Sequence, residues 1–349
     1  MAKVAVAMSG GVDSSVAALW LLKQGHEVQG VTFRLFGDGR TAEEDAAAVC
    51  RALGIGHRVA DYREEFERTV VTPFVENYLG GRTPNPCIFC NRSIKFGRFL
   101  CESLAAGFDA VATGHYARVE RGPDGAARLC RAPDRNKDQS YVLYMLPQEA
   151  LSRVILPLGV LSLPKEEIRS IARRAGLPVA ERPDSQDICF IPEGGHAAFI
   201  RSRIGKPAGE GRFVLEDGTV AGRHGGVFRY TVGQRKGLGV SLGRPAFVKK
   251  IDPETGDVLL TADEGGLFHR TLFLSNLCLN QKNLVFPLRA KVRIRYSHRE
   301  QDAEISLLPD GGAKVVFDEA QRAPTAGQAA VFYRGDEVVG GGTIERAEP

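Results

Sequence analysis

The chain has 349 residues, 43% of them hydrophobic and 25% charged, with a formal net charge of +4. That length suits two or three domains rather than one, and that balance excludes a disordered or fibrous chain. No apolar run approaches the roughly 18–20 residues a bilayer needs, Met1-Ala2-Lys3 leads into a strand without a secretory pattern, and seven scattered cysteines argue against a disulfide framework; a cytoplasmic protein with no membrane partner is expected.

Residues 3–8 read as a strand, 12–24 as a helix closed by Gly25, and 27–33 as the next strand. Thr41 is placed to cap a helix ending at Leu53, followed by a short strand over 56–61. Residues 62–79 read as a helix interrupted at Pro73, 91–106 as another helix, and 109–113 as a strand ending in Thr-Gly-His-Tyr. Such alternation predicts an α/β domain with a doubly wound parallel sheet. Ligands on such sheets sit at the carboxyl ends of strands, so the loops after Met8, Phe33 and Ala112 should converge. Helical periodicity continues over 148–154, 165–175 and 196–204. From about Pro207 to Gly211 the text changes to short strands with glycine turns: 212–215, 228–230, 246–251, 257–261, 271–274, 288–296, 303–307, 313–317, 329–333 and 337–345. Two small, mainly β domains are expected after the first, with boundaries at 1–206, 207–268 and 269–349.

The string SGGVDSS, Ser9 to Ser15, joins the first strand to the first helix. Gly10 and Gly11 let the backbone approach a bound group. The helix start beyond them offers unpaired N–H groups and a positive dipole end, so the turn should hold an anion. Ser9, Ser14 and Ser15 add hydroxyls, and Asp13 is a carboxylate suited to a magnesium ion or a hydroxyl. No lysine follows the glycines, so this is neither GxxxxGK[ST] nor GxGxxG. Gly114 can lie against a base or ribose, and Phe33 can pack on an adenine.

Chemistry is densest in GRTPNPCIFCNRSIKF, residues 81–96. Pro84 and Pro86 force an extended entry. Asn91 is placed to cap the following helix, which would set Cys90 at a helix N-terminus with Arg92 and Lys95 near, lowering its thiol pKa and making it the candidate nucleophile. Cys87 and Cys90 form C-x2-C. Zinc lacks a second ligand pair in this chain; a redox dithiol and an iron–sulfur cluster completed by Cys189 remain open readings. Cys189 lies in a proline-bounded loop with Asp184, Ser185 and Asp187, where acid beside the thiol suits a sulfur acceptor. Asn136 to Tyr141 packs cation, anion and hydroxyls, as a phosphate or base contact would or as a solvated loop would. Arg289, Lys291, Arg293 and Arg295 alternate with apolar residues, placing four cations on one strand face. A nucleic-acid backbone is one counterpart for them and a solvated edge strand the other reading. Residues 231–239 form a second cationic, glycine-flexed loop.

SGGVDSS resembles the pyrophosphate-binding loop of the N-type ATP pyrophosphatases. Taken in order with GRTPNPCIFCNRSIKF, ATGHYAR, NKDQSYVLY, DSQDICFI, TVGQRKGLG and AGQAAVFY, it resembles the tRNA-specific 2-thiouridylases over almost the whole chain. The resemblance implies an adenine-nucleotide α-hydrolase-like domain, a central β domain and an elongation-factor-like, tRNA-binding β-barrel. It implies a tRNA-uridine 2-sulfurtransferase that uses ATP and Mg2+ to replace the C2 oxygen of the wobble uridine with sulfur. By motif, Ala7, Met8, Ser9, Gly10, Gly11, Val12, Asp13, Ser14, Phe33 and Gly114 would form the ATP site. Asn85, Pro86 and Cys87 would meet the target base. Cys90 would be the nucleophile and Cys189 the persulfide carrier, with His115, Lys137, Asp138, Gln139, Arg295, Tyr296 and Gln328 as tRNA contacts. A persulfide-donating sulfurtransferase or cysteine desulfurase and a reductant for a Cys90–Cys189 disulfide follow as partners. Two departures stand out. Cys87 occupies a position that is aspartate in much of the family, which strengthens the reading of an iron–sulfur cluster on Cys87, Cys90 and Cys189. The segment 34–42 is short, so any lid built there is reduced.

Overall fold

The computed structural model describes residues 1–37, 40–183, 188–205, 209–281 and 283–349. Seven strands belong to the first part of the chain: β1 (Lys3–Ala7), β2 (Glu27–Arg34), β3 (Gly56–Asp61), β4 (Ala110–Ala112), β5 (Ala117–Arg121), β6 (Ala127–Arg131) and β7 (Val154–Ile155). Five of them make a parallel sheet in the order β3-β2-β1-β4-β7. Its two faces are covered separately, as the two-residue period of a strand requires. Val4 and Val6 pack with Val16 and Leu21 of α1 (Val12–Lys23), Val49 of α2 (Arg40–Leu53) and Ile168 of the helix Lys165–Arg174. Ala5 points the other way, into a cluster with Phe66, Phe74, Ile94 and Phe99. Each of these fully buried side chains contributes about 1.5–3 kcal/mol of apolar burial. The strand order reverses between β1 and β4, which creates the crevice where such sheets bind ligands.

Gly25, at φ +79°, ends α1 as expected. Other elements differ from the sequence expectation. The helical run past Pro73 is not broken. It passes through a π-helical segment, Glu67–Val71, into Thr72–Leu79, so Pro73 falls just after a change of hydrogen-bond register, where a helical run can take a residue without an N–H. Thr41 lies inside α2, which already begins at Arg40. Residues 148–154 divide into a one-turn helix, Gln148–Leu151, and strand β7, which completes the sheet. The β5–β6 hairpin carries too many charges to read as strands, yet it forms by pairing with the barrel below.

The later strands are β8 (Gly211–Leu215), β9 (Val220–His224), β10 (Phe247–Asp252), β11 (Asp257–Thr261), β12 (Phe268–Leu279), β13 (Leu288–Arg293), β14 (Gln301–Leu307), β15 (Ala313–Arg322), β16 (Ala329–Arg334) and β17 (Glu337–Glu348). β10-β11-β8-β9 form a small sheet around Phe213, Val248, Val258 and Leu260. Of residues 228–230, expected as a strand, Phe228 and Arg229 belong instead to the 3-10 turn Val227–Arg229, and Tyr230 follows it with extended backbone. β12-β15-β14-β13-β16-β17 close into a six-stranded barrel through β12–β17 pairing. The hairpin joins that barrel where Glu337 pairs with Cys130. Tyr141, Tyr144 and Leu129 share one core with Val331, Tyr333 and Val338, so barrel and first domain are packed as one body.

Candidate active site

The SGGVDSS turn lies at the carboxyl end of β1, beside the reversal of strand order. Gly10 stands at φ +71°, where a side chain is strained, and a Cβ there would come within 2.9 Å of Ala42 O. Gly11 is the N-cap of α1 without a side-chain cap, so the first N–H groups of the helix face the turn. Ser14 and Ser15 hydroxyls both donate to Gly11 O, at 3.1 and 2.9 Å, and Ser9 N donates to Ser14 Oγ at 3.2 Å. Ala7 closes β1. Met8 and Val12 are buried beneath the turn as its floor. Gly114, after β4, fits against it so closely that a Cβ would lie 2.9 Å from Asp13 C and Ser14 N. Phe33, at the end of β2, is half-buried, its ring 4.8 Å from Phe99 and 5.3 Å from Tyr62. The three predicted loops therefore converge on one crevice.

Sequence reasoning missed the groups that hold this turn. Lys165 Nζ lies 2.7 and 2.6 Å from the two Asp13 oxygens, and Tyr116 Oη donates to Oδ1 at 2.6 Å. Arg182 Nη1 donates to Gly10 O at 3.0 Å and also pairs with Asp45. Lys165 starts a helix 152 residues away from Asp13, and no spacing in the sequence links them. A single carboxylate on a phosphate turn fits magnesium, which takes one or two carboxylates alongside substrate phosphates. Asp13 is that carboxylate, held here by Lys165 and Tyr116.

The cysteine helix begins earlier than expected. It starts at Pro86, and the cap is Asn85, whose side chain accepts from Cys87 N at 3.1 Å. Cys90 therefore lies more than a turn inside a helical run that continues through the π-helical segment Asn91–Arg98. Asn91 is buried and donates to Val142 O at 3.0 Å. The expected lowering of the Cys90 pKa does not occur: burial pushes the thiol up to about 12, partly offset by Lys95. Cys87 and Cys189 reach the surface, yet the protein packed around them removes enough solvent to raise their thiols too, and Lys95 again opposes the shift. Cys90 also lies within electrostatic range of Cys87 and of Cys189, about a hundred residues further along the chain. Ile188 and Phe190, flanking Cys189, pack into the same core as Ile88 and Cys90. All three cysteines are free thiols, with Cys87 and Cys189 exposed and Cys90 buried. Asp184, Ser185 and Asp187 lie outside the described residues. Among the described residues no three His, Cys, Asp or Glu side chains converge as a metal-holding group, so the donors do not fit the iron–sulfur reading.

His115 lies between the nucleotide crevice and the helical run that carries Cys90. It follows Gly114, its ring lies 5.9 Å from Phe96, and burial together with Lys95 holds its imidazole well below the ordinary pKa, in the neutral form.

The remaining expected RNA contacts divide. Tyr296 is exposed and Lys137 half-buried. Asp138 is 2% exposed and accepts from Ala132 N, Ser140 N and Ser140 Oγ, so it organises its loop and does not face a partner. Gln139 accepts from Tyr116 N at 3.0 Å. The cationic face of β13 has its negative counterparts within the chain: Arg289 with Asp318, Lys291 with Asp302 and Arg293 with Asp138. Arg295 and Tyr296 lie beyond the end of that strand, and Arg295 reaches Ala323 O and Thr325 Oγ1. Gln328 Nε2 donates to Thr83 O at 2.7 Å.

A doubly wound sheet with a lysine-free glycine-serine turn at its switch point, and a carboxylate within that turn, defines the adenine-nucleotide-binding α/β class to which the N-type ATP pyrophosphatases belong. Family models agree along the chain: a tRNA methyl transferase HUP domain matches residues 2–193, a tRNA methyl transferase PRC-barrel domain 197–262 and an aminomethyltransferase beta-barrel domain 270–344. The tRNA-specific 2-thiouridylase MnmA of Carboxydothermus hydrogenoformans is 47% identical over 99% of this chain and 98% of its own length. That of Syntrophomonas wolfei is 47% identical over 98% and 99%, and that of Syntrophotalea carbinolica 46% identical over 98% of each. The chain belongs to the tRNA-specific 2-thiouridylase family.

Proposed function

We propose that the chain is an ATP-dependent tRNA-uridine 2-sulfurtransferase that replaces the C2 oxygen of the wobble uridine with sulfur. What supports this reading is that Cys90 and the residues flanking Cys189, from loops far apart in sequence, share one core, and that the helical run carrying Cys90 reaches His115, next to Gly114 of the nucleotide crevice, through Phe96. ATP is the substrate of the SGGVDSS turn, with the N-terminal N–H groups of α1 toward its phosphates and the Ser14 and Ser15 hydroxyls fixing the turn through Gly11 O. Magnesium on Asp13 would supply neutralisation of phosphate charge.

The target base leaves its stack to reach the pocket, where Asn85, Pro86 and Cys87 line the entry. Its C2 oxygen attacks the α-phosphorus. One O–P bond forms, the bond to the β-phosphate bridge breaks, and pyrophosphate leaves. The adenylated oxygen is then a good leaving group. A persulfide-donating sulfurtransferase or cysteine desulfurase loads Cys189 as Cys189–S–SH. The terminal sulfur attacks C2 and AMP departs. Cys90, as thiolate, attacks the Cys189 sulfur, and the S–S bond breaks to leave 2-thiouridine and a Cys90–Cys189 disulfide. Alternatively, Cys90 attacks the persulfide first and frees hydrosulfide, which attacks C2. Either route ends in the disulfide, so a dithiol reductant must restore the two thiols. The buried, protonated Cys90 described above suits a nucleophile kept inactive until RNA and nucleotide rearrange the pocket around Lys95.

The test is incubation with ATP, unmodified tRNA and a persulfide donor, with no free sulfide added, and detection of pyrophosphate and 2-thiouridine. Cys90→Ser and Cys189→Ser are expected to abolish thiolation while ATP still binds. Full thiolation by either variant would overturn the scheme.

A further inference from the structure

Residues 81–83, directly before the capped helix Pro86–Cys90, touch all three parts of the molecule. The Arg82 guanidinium donates to both carboxylate oxygens of Glu345 in β17, at 2.6 and 2.9 Å, and its Nε to Asn77 Oδ1 at 3.2 Å. Thr83 N donates to Ala326 O at 2.8 Å, and Thr83 O accepts from Gln328 Nε2 at 2.7 Å. Between those two barrel residues, Gly327 stands at φ +89° so close that a Cβ would lie 3.0 Å from Thr83 N. The central domain completes the junction: Thr83 Oγ1 donates to Thr231 Oγ1 at 3.2 Å, and a Cβ on Gly81 would meet Ile251 at 2.9 Å. Both backbone polar groups of Thr83 are thus held by the barrel. Pro84 and Pro86 then restrict the short path to the helix start, so the position of Thr83 is passed on to Asn85 and Cys87 with little slack.

We propose that Arg82 and Glu345 are positioning residues for the sulfur chemistry. The barrel, through Glu345 and the turn at 326–328, sets where the start of the cysteine helix stands relative to the nucleotide turn and Cys189. A bidentate guanidinium–carboxylate pair suits this task because it fixes orientation as well as distance. Errors of about 1 Å at a reacting centre cost on the order of a hundredfold in rate. The kinetic consequence rests on the thiolation reading above; the geometric one does not.

The test uses the full chain with Arg82→Ala, Glu345→Ala, the exchanged pair Arg82→Glu with Glu345→Arg, and Glu345→Gln. The last keeps the shape of the pair while removing its charge and keeps the test open if a more drastic variant fails to fold. Three quantities are read: the iodoacetamide alkylation rate of Cys87 without RNA, the Kd for tRNA, and the single-turnover thiolation rate at saturating ATP and tRNA. The single variants should raise Cys87 alkylation several-fold, leave Kd within about twofold and lower the saturated rate about tenfold to a hundredfold. The exchanged pair should recover most of both. An unchanged alkylation rate, or a loss confined to tRNA affinity, overturns the proposal. If the parent protein does not thiolate at all, the thiolation reading falls, while the alkylation measurement and its recovery in the exchanged pair still decide this inference.

Discussion

Lys165 Nζ and Asp13 Oδ2 are 2.6 Å apart, joining the start of a distant helix to the nucleotide turn. Both side chains are partly accessible, at 16% and 34% exposure, so the pair is not a core ion pair. Its position points to the phosphates: an ammonium held on the loop carboxylate is available to a developing phosphate charge when the carboxylate takes a cation. Lys165→Met should therefore lower ATP-dependent pyrophosphate formation by about a hundredfold, the scale for losing one preorganised charge-stabilising donor. The thermal midpoint should change little. A pyrophosphate-release assay beside a melting curve checks both.

Gly114 has no room for a side chain, since the backbone of Asp13 and Ser14 occupies the place of its Cβ. Gly114→Ala must push the turn away from β4. Overpacking of this kind costs about 1–3 kcal/mol, and here the displaced atoms are the nucleotide site itself. ATP affinity measured by calorimetry should fall at least tenfold, whereas Gly125→Ala, with open space around it in the β5–β6 turn, should leave it unchanged.

Burial pushes the thiols of Cys50, Cys90 and Cys130 to about 11, 12 and 12, against an ordinary value of 9.0. The folded state therefore holds these protons more tightly than the unfolded chain does. The stabilisation is complete below pH 9 and is lost as pH rises from there through about 12. The urea midpoint should drop between pH 8 and pH 10.5. In a Cys50→Ala, Cys130→Ala double variant the drop should be smaller, because two of the responsible groups are gone.

Asp138 is matched with Arg293 at 3.5 Å, with side-chain exposures of 1% and 11%. Removing one member of such a pair leaves a buried, uncompensated charge, which costs about 3–5 kcal/mol. Asp138→Ala should be destabilised by that amount in urea titrations. Lys137→Ala should keep its stability and weaken RNA binding alone, with a shallower salt dependence.

The sequence made the parallel sheet and its converging loops legible because hydrophobic period and glycine turns are local signals. It also singled out Cys90 and Cys189 as the candidate reactive thiols. What it did not disclose depends on distant contacts. Asn85 and Asn91 are equally good caps by type; Asn85, with Pro86 at the first helical position, is the one used, and Asn91 is buried inside the helical run with its amide on Val142 O. Cys90 consequently loses the expected helix-terminus effect to burial. Arg289, Lys291 and Arg293 read as a row of unpaired cations because Asp318, Asp302 and Asp138 are supplied by other segments. Lys165 and Arg182 are ordinary surface residues in the text and become part of the nucleotide turn only after folding. The β5–β6 hairpin escaped notice because its partner strand lies about two hundred residues further along.

The central claim is that Cys90 and Cys189 act on one substrate in one pocket. The most direct measurement is a single turnover with ATP, tRNA and a persulfide donor, quenched in alkylating acid and mapped without reduction. The account predicts a Cys90–Cys189 linked peptide that accumulates in step with 2-thiouridine and disappears on addition of a dithiol. Formation of 2-thiouridine with both cysteines recovered only as free, alkylated thiols would contradict it.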